Sequence, residues 1–311
     1  MLVTGADGFV GGHLVAHLEA EGHRVVRGGR TATADGTVAC DVGDRATVAR
    51  AIAEARPDVV INLAGIADPG EAERDPVLAY AVNVIGQLHL IQALLQSAPS
   101  ARLVVIGSAH MYGAAAPTST IREDAPLQPH SVYGATKAAA DLQALAYHLS
   151  HGLNCVRLRL FNLIGPGRQE AYFPGRQVRQ LADILEGRAP PVLDTFSLTG
   201  TRDFVDVRDA VRAIEHAARL GATGAAYNVA SGRATPLRTV AERLIALAGV
   251  PVEIREQATA GAGRGFSIGA GDAGALRRDT GWQPAHTLDD TLRDSLSRAR
   301  ARLRRAAAPT P

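Results

Sequence analysis

Near its N-terminus the chain reads Thr4-Gly5-Ala6-Asp7-Gly8-Phe9-Val10-Gly11. The apolar residues Leu2–Thr4 come first and a segment of helical character follows, so the pattern predicts a strand, a tight turn and a helix. Gly5 permits the turn, Gly8 lets the backbone approach a pyrophosphate, and Gly11 lets the helix and strand pack closely. Free N–H groups at the helix start favour phosphate binding. A glycine turn can be purely structural, but this order of elements favours a dinucleotide site.

The second predicted strand carries a cue to the type of dinucleotide. An acidic residue at its end would bind the ribose 2′-hydroxyl of NAD, but the sequence there is Val25-Val26-Arg27-Gly28-Gly29-Arg30. Arg27 and Arg30 could instead meet a 2′-phosphate, or simply face solvent. The cofactor expected is therefore NADP or NAD, with NADP favoured. Asp41, after the third strand, is either an adenine ligand or a strand-end turn residue.

Short β-branched runs alternate with longer amphipathic ones through the first half of the chain. This alternation predicts an α/β fold with a doubly wound parallel sheet of the Rossmann type, and a site at the carboxyl ends of the strands. After Phe161 the pattern loosens, and residues 166–311 are predicted to form mainly a smaller C-terminal substrate-binding lobe. Residues 1–165 then form the dinucleotide-binding domain, to which parts of 202–232 return. The predicted strands are Leu2–Thr4, Arg24–Arg27, Thr37–Cys40, Val59–Leu63, Leu103–Ile106 and Cys155–Leu160. The predicted helices are Gly11–Glu21, Arg45–Glu54, Pro76–Gln96, Tyr133–Ser150, Gln177–Glu186 and Leu237–Ala248, with a Gly-rich loop at Thr259–Gly271.

Composition narrows the classes of protein and partner. The formal net charge is +2 over 311 residues, so nothing indicates nucleic acid or an anionic membrane as a partner. Cys40 and Cys155 both lie in apolar runs, and two cysteines make no disulfide framework, which favours a reducing, cytoplasmic location. We expect no bilayer-spanning stretch and no signal peptide. No metal site is expected either.

Tyr133 and Lys137 are candidates for proton transfer because residues four apart share one face of a helix. A cation beside a phenol lowers the pKa of tyrosine, which is otherwise near ~10 and too high for a base at neutral pH. Such a pair is common on protein surfaces, and it gains weight because it follows the fifth strand. Ser108 ends that strand, where its hydroxyl could bond the oxygen that reacts or could cap the next turn.

Together these residues resemble the extended short-chain dehydrogenase/reductase family, the NAD-dependent epimerase/dehydratase enzymes, over nearly the whole chain. Within it the chain is most similar to GDP-4-keto-6-deoxy-mannose reductases and, somewhat less, to UDP-galactose 4-epimerases. The matching motifs, besides the glycine turn and the set Ser108, Tyr133 and Lys137, are Asn62-Leu63-Ala64-Gly65, Asn83-Val84-Ile85-Gly86, Phe161–Gly167, Arg202–Val207, Tyr227–Gly232 and Thr280–Pro284.

The resemblance implies a role for each matching residue. Tyr133 would be the acid/base, Ser108 would polarise the reacting oxygen, and Lys137 would orient the nicotinamide ribose. Asn162 and Arg202 would contact a nucleotide sugar, Arg202 through its diphosphate. Arg168 and His110 would add to the substrate site, and Asp203 would orient Arg202 unless the two form a plain surface salt bridge. The cofactor site would comprise Gly5, Gly8, Phe9, Val10, Gly11, Arg30, Asp41, Val42, Leu63, Ala64 and Lys137.

Two departures from the family pattern bear on the reaction. Related sugar 4,6-dehydratases carry carboxylates at the positions of Ala109 and His110, and removing water needs an acid and a base beyond Tyr133. Dehydration is therefore disfavoured, although His110 could serve as an acid/base or only line the sugar pocket. The Gly-rich stretch around Arg264 departs from the family's Arg-Pro loop, which leaves the nucleotide base open.

The leading hypothesis is hydride transfer at C4 of a nucleotide-linked hexose, by a 4-ketoreductase or a 4-epimerase. The alternatives are a 4,6-dehydratase-like enzyme that uses His110 and a non-catalytic dinucleotide-sensing regulator. The family resemblance also implies a homodimer in which helices 84–96 and 133–150 pair through Leu90, Leu94, Ala139, Leu142 and Ala146. These faces could instead only cover the sheet.

Overall fold

A computed structural model describes residues 1–34, 36–115, 118–167, 172–257 and 267–307. Its strands are β1 (Leu2–Thr4), β2 (Val26–Gly29), β3 (Val38–Ala39), β4 (Val59–Asn62), β5 (Arg102–Ser108), β6 (Thr120–Ile121), β7 (Cys155–Leu160), β8 (Asn162–Ile164), β9 (Val192–Thr195), β10 (Thr201–Asp206), β11 (Ala226–Val229), β12 (Ala234–Pro236), β13 (Glu253–Glu256) and β14 (Ala270–Gly271). Its α-helices are α1 (Phe9–Ala20), α2 (Arg45–Ala55), α3 (Pro69–Arg74), α4 (Pro76–Tyr80), α5 (Gly86–Ser97), α6 (Val132–His151), α7 (Gly175–Leu185), α8 (Val207–Leu220), α9 (Leu237–Ala248), α10 (Gly274–Thr280) and α11 (Leu288–Ala307).

Seven strands form one sheet in the order β11-β7-β5-β4-β1-β2-β3, and every neighbouring pair is parallel. The chain runs outward from β1 through β2 to β3, then returns to β4 and continues in the opposite direction. The strand order therefore reverses between β1 and β4, and ligands bind at the carboxyl ends beside such a reversal. This is the predicted Rossmann-type doubly wound sheet.

Apolar side chains cover both faces of this sheet, as its buried strands require. Helices α1 and α8 pack on one face, where Leu14, Leu18 and Ile214 are fully buried. Helices α2 and α5 cover the other face, where Ile52, Leu90 and Leu94 contribute to a second core. The strand ends therefore lie on a sheet whose two faces are both covered by helices.

The second half of the chain builds smaller sheets above this sheet. Strands β8, β10 and β12 form one sheet, and β9 pairs with β13. Helices α7, α9 and α11 pack around a third core that includes Leu181, Leu244 and Leu292. Within the same half, α8 and β11 belong to the large sheet, so the chain crosses between the two regions more than once.

Several predicted boundaries move because pairing and capping decide them. The strand predicted at 24–27 runs instead from Val26 to Gly29, since the Val26 N–H bonds the Met1 carbonyl at 2.8 Å and sets the register. The helix predicted from Gly11 starts at Phe9, with Gly8 as its N-cap. Of the predicted loop Thr259–Gly271, residues 259–266 lie outside the described residues, while Ala270–Gly271 forms β14 against β6.

The helix predicted at 76–96 is one run in three parts, α4, a π-helical turn at Ala81–Ile85, and α5. We expected no stretch long enough to span a bilayer, and this expectation was wrong. By length and composition alone, the run Pro76–Ser97 is long and apolar enough to span one. Nearly half of its most apolar window is buried within the protein, and the polar Asn83 and Gln87 are buried too. Core helices of soluble proteins have this character.

Candidate active site

The glycine turn lies at the carboxyl end of β1. Gly5 has a φ of +65°, and a Cβ there would lie 2.8 Å from the Ala64 nitrogen and 2.9 Å from the Leu63 carbonyl carbon. The turn thus presses against the residues that follow β4. Thr4 Oγ1 completes the contact, because it donates to Asn62 Oδ1 at 2.8 Å and accepts from the Ala64 N–H at 3.2 Å.

The start of α1 is open to an anion. A Cβ on Gly11 would lie 2.2 Å from the Gly5 carbonyl oxygen, so only glycine lets the helix approach the turn this closely. Gly8 is the N-cap of α1, and it has no side chain with which to cap the helix. Uncapped N–H groups at a glycine cradle fit the pyrophosphate of a dinucleotide.

The end of β2 brings together charges of opposite sign. Arg30 follows the strand and is exposed. Arg27 lies within the strand and pairs with Glu19 of α1 at 3.1 Å, so it already has a partner other than a phosphate. The sequence of β2 contains no acidic residue, but the glycine turn brings one close to it. Asp7 Oδ2 lies 3.2 Å from the Cβ position of Gly29. Both Asp7 and Arg30 are therefore near the predicted ribose position.

Asp41 and Val42 follow β3. Asp41 Oδ1 accepts from the Gly43 N–H at 2.9 Å, which is the turn-forming role that the sequence left open beside adenine binding. The Val42 side chain is buried against Gly86 of α5, and its carbonyl oxygen bonds His89 Nδ1 at 2.8 Å. The Val42 side chain is thus part of the core.

Ser108 ends β5 and is buried, with its Oγ accepting from the His110 N–H at 3.3 Å. The short 3₁₀ turn Ala109–Tyr112 that follows carries His110 beside Tyr133, whose ring meets the imidazole edge-on at 5.5 Å between centroids. A Cβ on Gly134 would lie 2.7 Å from the His110 carbonyl oxygen, so this glycine lets α6 start against the turn. Serine, histidine and tyrosine therefore lie at one strand end.

Lys137 lies one turn further along α6. Its Nζ donates to the Ile106 carbonyl of β5 at 3.0 Å and lies 3.6 Å from the Cβ position of Gly65, after β4. Burial lowers the pKa of Lys137 to about 8. Water screens this positive charge only partly, so it would act strongly on an oxygen placed beside it.

Asn83 is a site residue whose role the sequence pattern alone did not reveal. It lies in the π-helical turn, where its side chain bonds both the N–H and the carbonyl of Ile66, at 2.8 and 3.0 Å. Its Nδ2 also reaches Thr136 Oγ1 at 2.9 Å, and Thr136 bonds the Tyr133 carbonyl. Asn83 therefore joins the segment after β4 to the first turn of α6. The motif Asn83-Val84-Ile85-Gly86 was the only sequence signal for it.

The substrate residues named from sequence come from three elements. Arg202 of β10 acts electrostatically on His110: burial, and secondarily this positive charge, lowers the pKa of His110 to about 4. Burial also lowers the pKa of Arg202 to about 10. Asn162 begins β8, beside Phe204, and its Oδ1 is buried with no hydrogen-bond partner in the part of the chain that the structure describes. Arg168 lies outside the described residues.

Asp203 does not lie on the surface, so the surface salt bridge considered for it was wrong. It is fully buried, and its carboxylate accepts bonds from Ser231 N, Ser231 Oγ, Gly232 N and Gly271 N, at 2.6–3.0 Å. Neighbouring strand residues point to opposite faces, so Asp203 points away from the face that carries Arg202. It ties β10 to the loops after β11 and at β14.

A buried charge network supports the helix of Tyr133 and Lys137. Asp141, four residues past Lys137, is fully buried and receives bonds from Arg157 at 2.6 Å and Arg159 at 3.0 and 3.2 Å. Arg159 also donates to the hydroxyl of Tyr112 at 2.9 Å. The network therefore joins α6 to β7 and to the end of the 3₁₀ turn that carries His110. Among the described residues, no group of three potential ligands could hold a metal ion.

Comparison with known proteins agrees with this geometry. Residues 1–230 match the model of the NAD dependent epimerase/dehydratase family. The chain is 32% identical to the GDP-6-deoxy-D-mannose reductase of Pseudomonas aeruginosa, over 98% of each chain.

Two solved structures are similar over nearly the full length. RMD from Pseudomonas aeruginosa, complexed with NADPH, has a TM-score of 0.86 and 30% identity, covering 97% of this chain and 99% of that one. Thermus thermophilus UDP-glucose 4-epimerase, in complex with NAD, has a TM-score of 0.84 and 29% identity, covering 96% and 98%. The chain therefore belongs to the NAD-dependent epimerase/dehydratase family, whose members in these comparisons are enzymes that act on nucleotide sugars.

Proposed function

We propose that this chain is a nucleotide-sugar 4-ketoreductase that uses NADPH in preference to NADH. The observation that carries the proposal is the convergence of Ser108, His110, Tyr133 and Lys137 at the carboxyl ends of β4 and β5. A 32% identical relative, matched end to end, is named a GDP-6-deoxy-D-mannose reductase. The substrate would be a nucleoside diphosphate linked to a hexose with a carbonyl at C4.

Bound NADPH supplies the hydride for C4. Tyr133 then gives its phenolic proton to the C4 oxygen and regains one from solvent, while Ser108 Oγ donates a hydrogen bond to the same oxygen. Lys137, one helical turn from Tyr133, places its positive charge on the same side of the helix and holds the ribose hydroxyls. Arg202 pairs with the diphosphate, and the Asn162 amide bonds the sugar. The reaction needs one acid, and Tyr133 provides it.

His110 lines the sugar pocket as a neutral imidazole. With its pKa lowered to about 4, it carries no proton to donate as a cation near pH 7. A 4,6-dehydratase needs an acid and a base besides the tyrosine. The neutral His110 and the apolar Ala109 therefore argue against the dehydratase alternative.

A 4-epimerase is the second candidate, favoured by the likeness to the Thermus thermophilus UDP-glucose 4-epimerase. The same three residues would oxidise C4 and reduce it again from the other face. A non-catalytic dinucleotide sensor has less support, because this chain keeps the serine, tyrosine and lysine of an enzyme family close together.

Purified protein distinguishes these reactions. Each of a GDP-, UDP-, dTDP- and ADP-linked 4-keto-6-deoxyhexose is incubated with NADPH, and the sugar product is analysed. A 4-ketoreductase consumes NADPH in proportion to the product. Interconversion of C4 epimers with tightly bound cofactor and no net NADPH oxidation would establish the epimerase instead. Cofactor binding without any nucleotide-sugar binding would revive the sensor.

The Tyr133→Phe variant tests the proposed acid. Loss of the phenolic hydroxyl should lower kcat by at least ~100-fold, in line with general acid catalysis, while circular dichroism and NADPH affinity stay unchanged. Tyr147→Phe, on the same helix and remote from the strand ends, is the matched control and should retain activity. Near-normal turnover by Tyr133→Phe would refute the role of this tyrosine.

A further inference from the structure

Tyr112 takes no part in the chemistry proposed above, but it ends the 3₁₀ turn that carries His110. The turn follows Ser108 of β5 at its other end. The Tyr112 side chain is 5% exposed, and burial raises the pKa of its phenol to about 12. Near pH 7 the phenol is therefore a neutral, buried hydroxyl, which holds hydrogen bonds and does not transfer a proton.

The Tyr112 hydroxyl attaches the end of the turn to two strands of the large sheet. It donates to Asn228 Oδ1 of β11 at 2.7 Å and accepts from Arg159 Nη1 of β7 at 2.9 Å. Asn228 is fully buried and is itself held, because its Nδ2 donates to the Ile121 carbonyl at 3.0 Å and its N–H to Glu123 Oε1 at 2.9 Å. The hydroxyl therefore has a fixed partner on each side.

Arg159 links this hydroxyl to α6. Its Nε and Nη2 bond the two carboxylate oxygens of Asp141, at 3.2 and 3.0 Å, while its Nη1 bonds the Tyr112 hydroxyl. Arg159 and Asp141 are both buried, and hydrogen bonds are stronger in such surroundings than in water. The donor directions of a planar guanidinium are fixed. The positions of Tyr112 and Asp141 are therefore tied to each other.

The candidate active site draws its residues from the two elements that this chain of bonds joins. Two come from the end of β5 and the turn, and two from α6: Ser108, His110, Tyr133 and Lys137. Tyr112 lies two residues after His110, and Asp141 lies one helical turn after Lys137. The chain of bonds therefore connects one half of the site to the other.

The turn is the half that depends more on Tyr112. Helix α6 is also held by the bond from Asn83 to Thr136 and by the bond from Lys137 to the Ile106 carbonyl. A movement of the turn, in contrast, reaches Ser108 directly, because Ser108 Oγ accepts from the His110 N–H at 3.3 Å.

We propose that Tyr112 is a positioning residue, which acts through Ser108 and sets its place relative to the catalytic helix α6. The inference rests on the proposed function, because it concerns the same site. Rates respond steeply to such placement, since a shift of about 1 Å can cost ~100-fold. The glycine turn at the end of β1 lies outside this chain of bonds, so cofactor binding does not depend on Tyr112.

The Tyr112→Phe variant removes the hydroxyl and keeps the ring. In the 4-ketoreductase assay its kcat should fall by ~10- to 100-fold, while KM for NADPH stays unchanged. Tyr227→Phe is the matched control: Tyr227 is also buried, and its hydroxyl donates to Asp279 and accepts from the Ala222 N–H. Urea unfolding should show a loss of stability in both variants, but only Tyr112→Phe should lose kcat. Equal losses of kcat would mean that Tyr112 is merely structural.

A double variant tests whether Tyr112 acts through Ser108. Ser108→Ala lacks the hydroxyl that the turn orients, so adding Tyr112→Phe should lower its kcat little further, because effects that pass through one group are not additive. Losses that multiply would overturn the proposal. If Tyr112→Phe does not fold, Arg159→Lys takes its place, because lysine keeps the charge but cannot bond Asp141 and Tyr112 together.

Nuclear magnetic resonance of ring-¹³C-labelled histidine tests the positioning without turnover. The signal of His110 is identified by its absence from the spectrum of His110→Gln. This signal should move in Tyr112→Phe and stay in place in Tyr227→Phe, and an unmoved signal in Tyr112→Phe would overturn the proposal. If the unmodified protein turns over none of the nucleotide sugars, the proposed function fails, while this spectrum still decides whether Tyr112 places the turn.

Discussion

Lys137 sets an upper pH limit for the proposed reaction. Burial lowers the pKa of this ammonium group to about 8, from 10.5 in the unfolded chain. Above about pH 8 the folded protein therefore loses the positive charge that, in the proposed reaction, holds the ribose hydroxyls of the cofactor. The value of kcat/KM for the cofactor should fall as pH rises through this value, by up to ~tenfold per unit.

The Lys137→Arg variant checks the assignment, because arginine does not deprotonate in this range. The variant is expected to be slower, but its kcat/KM for the cofactor should not fall as the pH rises through about 8. If kcat/KM still falls near pH 8 in this variant, the group that titrates there is not Lys137. The same shift has a consequence for stability: between about pH 8 and 10.5 the unfolded chain binds more protons, so this group makes the free energy of unfolding rise with pH.

Arg30 is the residue on which the cofactor preference depends. If it binds the 2′-phosphate, Arg30→Ala should lower kcat/KM for NADPH by ~10–100-fold, the value of one or two charge-assisted hydrogen bonds, and leave NADH nearly unchanged. Arg27→Ala is the control, since Arg27 pairs with Glu19. Asp7→Asn should raise the ratio of kcat/KM for NADPH to kcat/KM for NADH. An unchanged ratio in Arg30→Ala would contradict the preference.

At the scale of elements, α6 is held by buried charge as well as by apolar contacts. Asp141→Asn would leave Arg157 and Arg159 buried without their carboxylate. Breaking one partner of such a buried pair costs about 3–5 kcal/mol. Urea unfolding should show a loss of this size.

The control for that measurement is Asp289→Asn, which breaks an exposed pair with Arg243 whose partners are both 48% exposed. Its loss should stay within ~1 kcal/mol. Equal losses in the two variants would mean that the buried network contributes no more than a surface pair. Asp141 lies one helical turn from Lys137. An Asp141→Asn enzyme that still folds should therefore also show a changed pH dependence of kcat/KM for the cofactor.

At the scale of the whole molecule, the structure revises the surface expected to form the homodimer. Leu90 and Leu94 were predicted to face a partner, but both are buried against α2 and the sheet. Apolar side chains are exposed instead on two neighbouring helical runs. They are Val77, Leu78, Tyr80 and Ile85 on Pro76–Ser97, and Leu142 and Leu149 on α6. The homodimer stays a prediction, with this patch as its interface.

Light scattering tests the revised interface. The unmodified protein should have the mass of two chains, and Leu142→Arg/Leu149→Arg should have the mass of one, because arginines there would be desolvated without partners. Leu220→Arg is the matched control, since Leu220 is 56% exposed at the end of α8, away from the patch. If the unmodified protein has the mass of one chain, the homodimer prediction is wrong.

Local spacing was enough to predict much of this molecule. The strand, glycine turn and helix at residues 2–20 follow from short-range rules, and so does the shared helical face of Tyr133 and Lys137. Alternating apolar segments predicted the doubly wound sheet, because buried parallel strands and their crossover helices have distinct periods. The position of Ser108 at a strand end was predicted on the same grounds.

Contacts between residues far apart in sequence were decided by the tertiary structure alone. Asn83 bonds Thr136, and Lys137 bonds the Ile106 carbonyl. Burial, and secondarily the charge of Arg202 more than ninety residues away in sequence, lowers the pKa of His110. Asp203 is buried away from Arg202, and Asp7 of the glycine turn lies beside Gly29 at the end of β2. Sequence periodicity reports which face of an element is buried, but not which other element covers it. Packing of separate elements makes that choice, and it determined the surroundings of the glycine turn.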